Sequence, residues 1–200
     1  MSFRLSSILR WSVVFFIVSA TLLADSPSLI FSAPTYHGTG CAQGSVAFLA
    51  TNDAFSFIFS NYLAEKGPGI PLKNSTKNCQ LITKVTVPLD YTAEVVSVDY
   101  RGFTELERNT ASYLFTYFIF GNSQVGSSPI KYFSGPKEFD FFKRDKPYFT
   151  ARNRCSTGQP IALVLNTSMG VIGSSNRQGV ITLDSIDSTI EAKLRLVPCR

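Results

Sequence analysis

The side chains with most chemistry to offer are acidic. Glu105 and Glu107 are two apart, as are Glu138 and Asp140. In a strand that spacing puts both members of a pair on one face. Paired carboxylates are what glycoside cleavage needs, one as acid and the other as base or nucleophile. Glu94 and Asp99 have an odd separation, which places them on opposite faces of a regular strand. Same-face acidic neighbours are more often solvated positions on an outer sheet face. Nucleophilic catalysis has less behind it. A Ser–His–Asp site needs a histidine base, and the only histidine is His37, in a Gly-rich leader. The four cysteines form no C-x-x-C pair, so a tetrahedral metal site lacks ligands at the usual spacings. No catalytic residue, metal site or cofactor is assigned.

Binding chemistry is concentrated elsewhere. From Lys131 to Arg154 there are seven basic residues and three acidic ones. Lys143, Arg144, Lys146, Arg152 and Arg154 are the candidate ligand contacts in that stretch. Such a patch attracts anionic polysaccharide, lipid headgroups or a cell surface. The competing reading is a solvated edge, because lysine on an edge strand blocks edge-to-edge pairing. The same region is aromatic: 12 of the 37 residues from Tyr113 to Phe149 are Phe or Tyr. A row of exposed rings could stack on sugars. Phe outnumbers Tyr here, and the one Trp, Trp11, is N-terminal to the folded part. Sugar platforms lean on Trp and Tyr, so the stretch reads as sandwich core and rim.

These residues need elements to hold them. Arg4 and Arg10 precede an uncharged apolar run from Trp11 to Leu23, with Ala24 as the last residue before cleavage. That is the anatomy of a secretory signal peptide over 1–24. The alternative is an uncleaved anchor, but a bilayer span takes about 20 apolar residues. Cleavage leaves 17 basic and 14 acidic residues, a net charge of +3. No transmembrane span is expected in the mature chain, and nucleic acid is not an expected partner of a secreted one. Residues 25–40, rich in Ser, Pro, Thr and Gly, read as a flexible leader or a loosely tied edge.

From residue 41 to 200 the pattern has period two. Gly44–Ala50 and Ala54–Ser60 read as a hairpin around Asn52-Asp53. Cys79–Phe103 reads as two strands with a break at Pro88-Leu89-Asp90-Tyr91. Leu81, Val85 and Val87 share a face of the first; Val96, Val98 and Tyr100 share a face of the second, with Val95 opposite. Asp99, Tyr100, Arg101 and Gly102 form a structural motif there. Tyr100 points to the core, Asp99 and Arg101 pair on the other face, and Gly102 permits a bend or bulge. Thr110–Phe120 is apolar on both faces and belongs mid-sheet. Residues 121–129 read as a loop, and 143–147 as a charged turn between two strands. Pro160–Leu165, Gly179–Leu183 and Thr189–Val197 complete the set. The prediction is an all-β, single-domain antiparallel β-sandwich of about nine or ten strands with little helix.

Cys41, Cys79, Cys155 and Cys199 are an even count behind a signal peptide, which reads as a disulfide framework. Three connectivities are open. Cys41–Cys79 with Cys155–Cys199 is favoured, because each pair then staples one end of the chain to a strand near it in sequence. Asn74-Ser75-Thr76 and Asn166-Thr167-Ser168 fit the glycosylation acceptor pattern.

Three segments carry a resemblance: Gly38-Thr39-Gly40-Cys41 with Gly44-Ser45, then Lys77-Asn78-Cys79-Gln80-Leu81, then Val98-Asp99-Tyr100-Arg101-Gly102-Phe103. Together they resemble the signature segments of domain of unknown function 4360, a family of small secreted proteins. The resemblance runs from about Gly38 to Cys199. It implies secretion, a single domain and two disulfides, and it brings no reaction. The expected function is therefore a secreted or surface-associated binding or structural protein. Its ligand would be an anionic glycan or a cell surface. The alternative is a secreted carbohydrate-active enzyme using a carboxylate pair.

Overall fold

The computed structural model describes residues 26–121, 123–127, 129–146, 155–183 and 189–199. The signal peptide expected over 1–24 lies outside the described residues, as do Arg152 and Arg154.

Alternation builds the fold. The strands in chain order are β1 (Ile30–Phe31), β2 (Thr35–His37), β3 (Val46–Ala50), β4 (Ala54–Phe59), β5 (Leu63–Lys66), β6 (Thr76–Thr86) and β7 (Tyr91–Leu106). They continue as β8 (Thr110–Phe120), β9 (Ser123–Ser127), β10 (Lys131–Ser134), β11 (Lys137–Asp145), β12 (Ile161–Gly173), β13 (Gly179–Thr182) and β14 (Thr189–Pro198). Among the described residues the one helical piece is a short 3-10 turn, Leu72–Asn74. All pairings are antiparallel, in two sheets. The front sheet runs β1-β6-β12-β8-β10, with β2 also on β6 and β9 also on β8. The back sheet runs β3-β4-β14-β7-β13-β5, with β11 on the other edge of β7. Their inner faces enclose one core, in which Phe55, Phe57, Tyr62, Leu81, Leu114, Met169, Ile181 and Ile190 are buried. The disulfides are Cys41–Cys79 and Cys155–Cys199. On the chain-entropy model, loops of this length contribute about 4 kcal/mol each.

Several segments differ from the sequence-based expectation, each for a local reason. The stretch read as a flexible leader or a loosely tied edge is, over residues 26–40, an edge. β1 and β2 add to the edge of β6, and Leu29 is buried. Residues 121–129 contain β9, which extends the front sheet. Lys143, Arg144 and Asp145 continue strand β11 instead of turning, because each pairs with β7. β6 and β7 do not pair with each other. The Pro88–Asp90 break is an arch that carries the chain from the front sheet to the back one, with Asp90 at φ 63°.

The face assignment on β7 also changes. Lys193 pairs with Ser97 and Leu194 with Val95, so Val96 is an extra residue. This is a β-bulge. Ala93 and Val95 face the core before it, Val98 and Tyr100 after it, and Val96 is exposed. Bulging shifts the alternation by one, which puts Glu94 and Asp99 on the same outer face. Gly102, by contrast, sits in regular pairing. Its need is for space: a Cβ there would lie 2.3 Å from the Thr182 carbonyl oxygen and 2.6 Å from the Phe141 ring.

Candidate functional site

On the front sheet the buried partners of β6, β12 and β8 fix what faces outward. Cys79, Leu81, Thr167, Leu165, Thr116 and Phe118 go in. Gln80, Asn166 and Tyr117 therefore come out, and the register aligns them with His37 of β2 in one cross-strand row. The next row is Asn78, Ser168 and Phe115. The third is Thr76, Gly170, Tyr113 and Tyr132. Polar side chains thus occupy β2, β6 and β12, beside an aromatic column on β8.

The polar half forms a groove of about 380 Å³ lined by His37, Gln80, Asn166, Ser168 and Phe115, among others. Its floor is fixed from inside. Buried Thr167 shares a hydrogen bond with the Tyr62 hydroxyl at 2.8 Å and donates to the Cys79 carbonyl oxygen at 3.2 Å. Burial pushes the Tyr62 phenol well up from its ordinary pKa, so that hydroxyl stays neutral. The β2 wall is held by Asn78, whose Oδ1 accepts from the Thr39 amide at 3.0 Å, and by Cys41–Cys79. Within the groove Gln80 Nε2 donates to Asn166 Oδ1 at 2.7 Å. That leaves the pair a carbonyl acceptor on Gln80 and amide donors on Asn166. Side chains of His37, Ser168, Tyr113, Tyr117 and Tyr132 make no hydrogen bond to another described residue. In the three rows no residue is Asp, Glu, Lys or Arg; Lys84 is the charged outward residue of β6, farther along.

The charge lies on the back sheet. Arg144 grips Asp99 with two hydrogen bonds, at 2.6 and 2.5 Å. Arg195 reaches Glu94 at 2.6 Å, and Lys193 lies 3.5 Å from Glu191. Asp99 thus pairs with Arg144 and not with Arg101. Arg101 is exposed, with its guanidinium 5.2 Å from the Phe142 ring centroid.

Of the basic candidates, Lys143, Arg144 and Lys146 lie among the described residues, and these three do not point to one side. Lys143 points inward. Its ammonium lies 2.5 Å from the Asp145 carboxylate, beside Thr116, and 4.8 Å from the Tyr100 ring centroid. The even spacing of Lys143 and Asp145 with Phe141 puts all three on the core face of β11. Burial lowers the Lys143 pKa, and the contact with Asp145 opposes that without cancelling it. Tyr100 is buried as expected, but its hydroxyl is left without a hydrogen bond among the described residues. Burial and the nearby Asp145 charge hold that phenol far above its ordinary pKa. Arg144 is partnered, and Lys146 is exposed. A different pair of cations, Lys131 and Lys137, lines an open groove of about 460 Å³ between β10 and β11, with Asp140 on its wall.

Neither of the two grooves holds two of the carboxylate candidates; Asp140 alone lines the one between β10 and β11. Glu105 and Glu138 face each other across β7 and β11, both exposed. Glu107 is at a turn and accepts from the Gln178 amide at 3.1 Å.

The family model described as domain of unknown function (DUF4360) matches residues 30–199. The chain belongs to the DUF4360 family. A relative from Arthroderma benhamiae, described as an uncharacterized secreted protein, is 30% identical over 160 residues. The match covers 78% of this chain and 65% of the relative, so it spans just under two thirds of that protein. The secreted relative and the two disulfides agree with an extracellular location for this DUF4360 protein. Two solved structures resemble it at low identity. TmCBM61 in complex with β-1,4-galactotriose has 11% identity, covering 84% of this chain and 89% of that one, at a TM-score of 0.28. The family 11 carbohydrate-binding module from Clostridium thermocellum, in complex with a β-1,3-1,4-mixed-linked tetrasaccharide, has 8% identity. It covers 88% and 98%, at a TM-score of 0.18. At these scores neither fixes a ligand for the DUF4360 chain.

Sequence reasoning missed the groove. Gln80 and Asn166 lie far apart in the chain, and only the β6–β12 register joins them. The aromatic stretch, read as core, is divided: Leu114, Phe118 and Phe120 go in, while Tyr113, Phe115 and Tyr117 are half-buried on the outside. Strict alternation from Thr110 carried that signal, and Tyr at two of the three outward aromatic positions marked the wet side.

Proposed function

We propose that this protein is a secreted, non-catalytic glycan-binding protein whose site is the outward face of the front sheet. The observation that carries the reading is the groove at His37, Gln80, Asn166 and Phe115, which holds no Asp, Glu, Lys or Arg and has unused amide groups beside an aromatic column. Sugars offer hydroxyls in pairs and an apolar ring face. Side-chain amides answer the first and aromatic rings the second. The expectation of an anionic glycan or cell surface rests on Lys146, on Arg152 and Arg154 outside the described residues, and on the Lys131–Lys137 groove; Lys143 is buried against Asp145, and Arg144 holds Asp99.

An enzyme using a carboxylate pair has less support. A glycosidase acid is a carboxyl withdrawn from water, and Glu105, Glu107, Glu138 and Asp140 are all exposed. The test is retention of the purified mature protein in native gels cast with soluble polysaccharides. Retardation by at least one, lost in Asn166→Ala and Gln80→Ala with folding intact, supports the reading. Equal retardation of both variants moves the site elsewhere.

A further inference from the structure

The groove occupies only part of a face whose three rows hold no Asp, Glu, Lys or Arg; Lys131 and Lys137 adjoin Tyr132 at its edge. Phe115 forms one wall of it. Tyr113 is the next outward residue along β8, and Tyr132 lies directly across from Tyr113 on β10. The two tyrosine rings are 6.3 Å apart at their centroids. Tyr132 is 57% exposed. Gly170 stands beside Tyr113 in the same row. A Cβ on Gly170 would lie 2.7 Å from the Tyr113 ring and 2.9 Å from its hydroxyl oxygen. The ring therefore leans over β12 into the space that a side chain on Gly170 would fill. Three rows two residues apart extend about 13 Å along the strands. That is a footprint for several sugar units in line.

Charge narrows the ligand class. An ionised group on the sugar would lose hydration against this face with no opposite charge in the three rows to replace it. An uncharged, hydroxyl-rich chain loses nothing of that kind. The complement to a face of amides, hydroxyls and rings is thus a neutral polymer.

We infer that the ligand is an uncharged linear polysaccharide running obliquely across the strands, from the Gln80–Asn166 groove on β6 and β12 to the Tyr113–Tyr132 pair on β8 and β10, with the two as separate subsites. This rests on the glycan-binding reading above and adds the ligand's charge class, its direction and a second subsite. The amide groove takes the hydroxyls of one or two units. The tyrosine pair stacks on units farther along, so its contribution depends on chain length.

The experiment uses the mature protein with soluble neutral probes (mixed-linkage β-glucan, β-1,4-galactan and galactomannan) and anionic ones (polygalacturonate and alginate). It reads native-gel retardation and calorimetric affinity, with disaccharide-to-hexasaccharide ladders of whichever neutral polymer binds. Binding to a neutral polymer is expected, unchanged when NaCl rises from about 0.05 to about 0.5 M, a range that screens surface charge. Tyr132→Ala and Tyr113→Ala should weaken hexasaccharide binding about tenfold, the loss of one stacking contact. They should leave disaccharide binding unchanged, whereas Asn166→Ala weakens both. Each variant's urea midpoint, matched to wild type, excludes unfolding as the cause. Preference for polygalacturonate or alginate, or affinity that falls with salt, overturns the neutral class. Equal losses on short and long ligands, or none in either tyrosine variant, overturn the second subsite while leaving glycan binding intact. No binding of any probe by wild type overturns the underlying reading and this inference with it.

Discussion

The two outer faces of the sandwich are made by the same kind of alternation and have opposite chemistry. On the back sheet, Glu94, Asp99, Arg144, Glu191, Lys193 and Arg195 face out and are matched to one another. On the front sheet, His37, Gln80, Asn166, Ser168, Tyr113, Phe115 and Tyr132 face out, and only Gln80 and Asn166 engage each other by a side-chain hydrogen bond. A face whose polar groups are already answered has little left for a ligand. A face of unanswered amides and half-exposed rings has a good deal. The difference teaches that much of the charge, the most visible feature of the sequence, is spent here in the pairs Glu94–Arg195, Asp99–Arg144 and Glu191–Lys193.

Four changes would break or sharpen that contrast. The largest effect is expected beneath the back face. Tyr100→Ala empties a fully buried site and should cost about 3 kcal/mol or more in urea denaturation. Arg101→Ala, one residue away on the outer side, should cost about 1 kcal/mol at most. A silent Tyr100→Ala would contradict the face assignment after the bulge.

Next is Arg144→Ala. It leaves the Asp99 carboxylate, 7% exposed, without its guanidinium. Half of Arg144 is in water, which screens the pair, so a loss smaller than that of Tyr100→Ala is expected, with glycan binding unchanged. Reduced binding in this variant would tie the charged face to the ligand and undo the contrast.

The third change is on the front sheet. Gln80→Ala should cost within about 1 kcal/mol of stability, since it removes one part-buried hydrogen bond. Its effect belongs in binding. A larger loss in a melting curve would make the amide pair a structural clamp.

The smallest effect concerns pH. Lys143 has a folded pKa below its ordinary 10.5, so the fold disfavours its charged form. Below the folded value that penalty is present in full. Between the folded value and 10.5 the unfolded chain binds the extra proton, so stability rises with pH. Wild type should therefore gain on Lys143→Met as pH climbs through that window, in parallel urea titrations. A falling difference would mean that the attraction of Asp145 outweighs burial.

The architecture was legible because it rests on local signals. Alternation over Thr110–Phe120 and Ala54–Phe59 gave strands, and the even cysteine count gave the two disulfides that formed. What failed was anything that depended on one inserted residue or on a partner strand. Val96 reverses the faces of Glu94 and Asp99, and a bulge has no side-chain signature of its own. Residues 143–147 read as a charged turn because lysine and aspartate ordinarily face water. Pairing with β7 and contact with Thr116 and Tyr100 bring both inside. β1 and β2 were hidden by a Ser- and Pro-rich composition, although Thr35, Tyr36 and His37 needed only an open β6 edge to become strand.

The disulfides also have a mechanical consequence. A pull through the chain ahead of β1 unzips β1 and β2 from β6 one residue at a time. Peeling stops at Cys41, where the sulfur bridge hands the tension directly to Cys79. Everything between those cysteines, including the β3–β4 hairpin, is then bypassed by the load. At the other end Cys155–Cys199 shunts force around β12, β13 and β14 in the same way. His37 lies on the loaded side of the first bridge and Asn166 inside the second loop. The first bridge thus leaves the β2 wall of the groove outside its loop, while the second encloses β12.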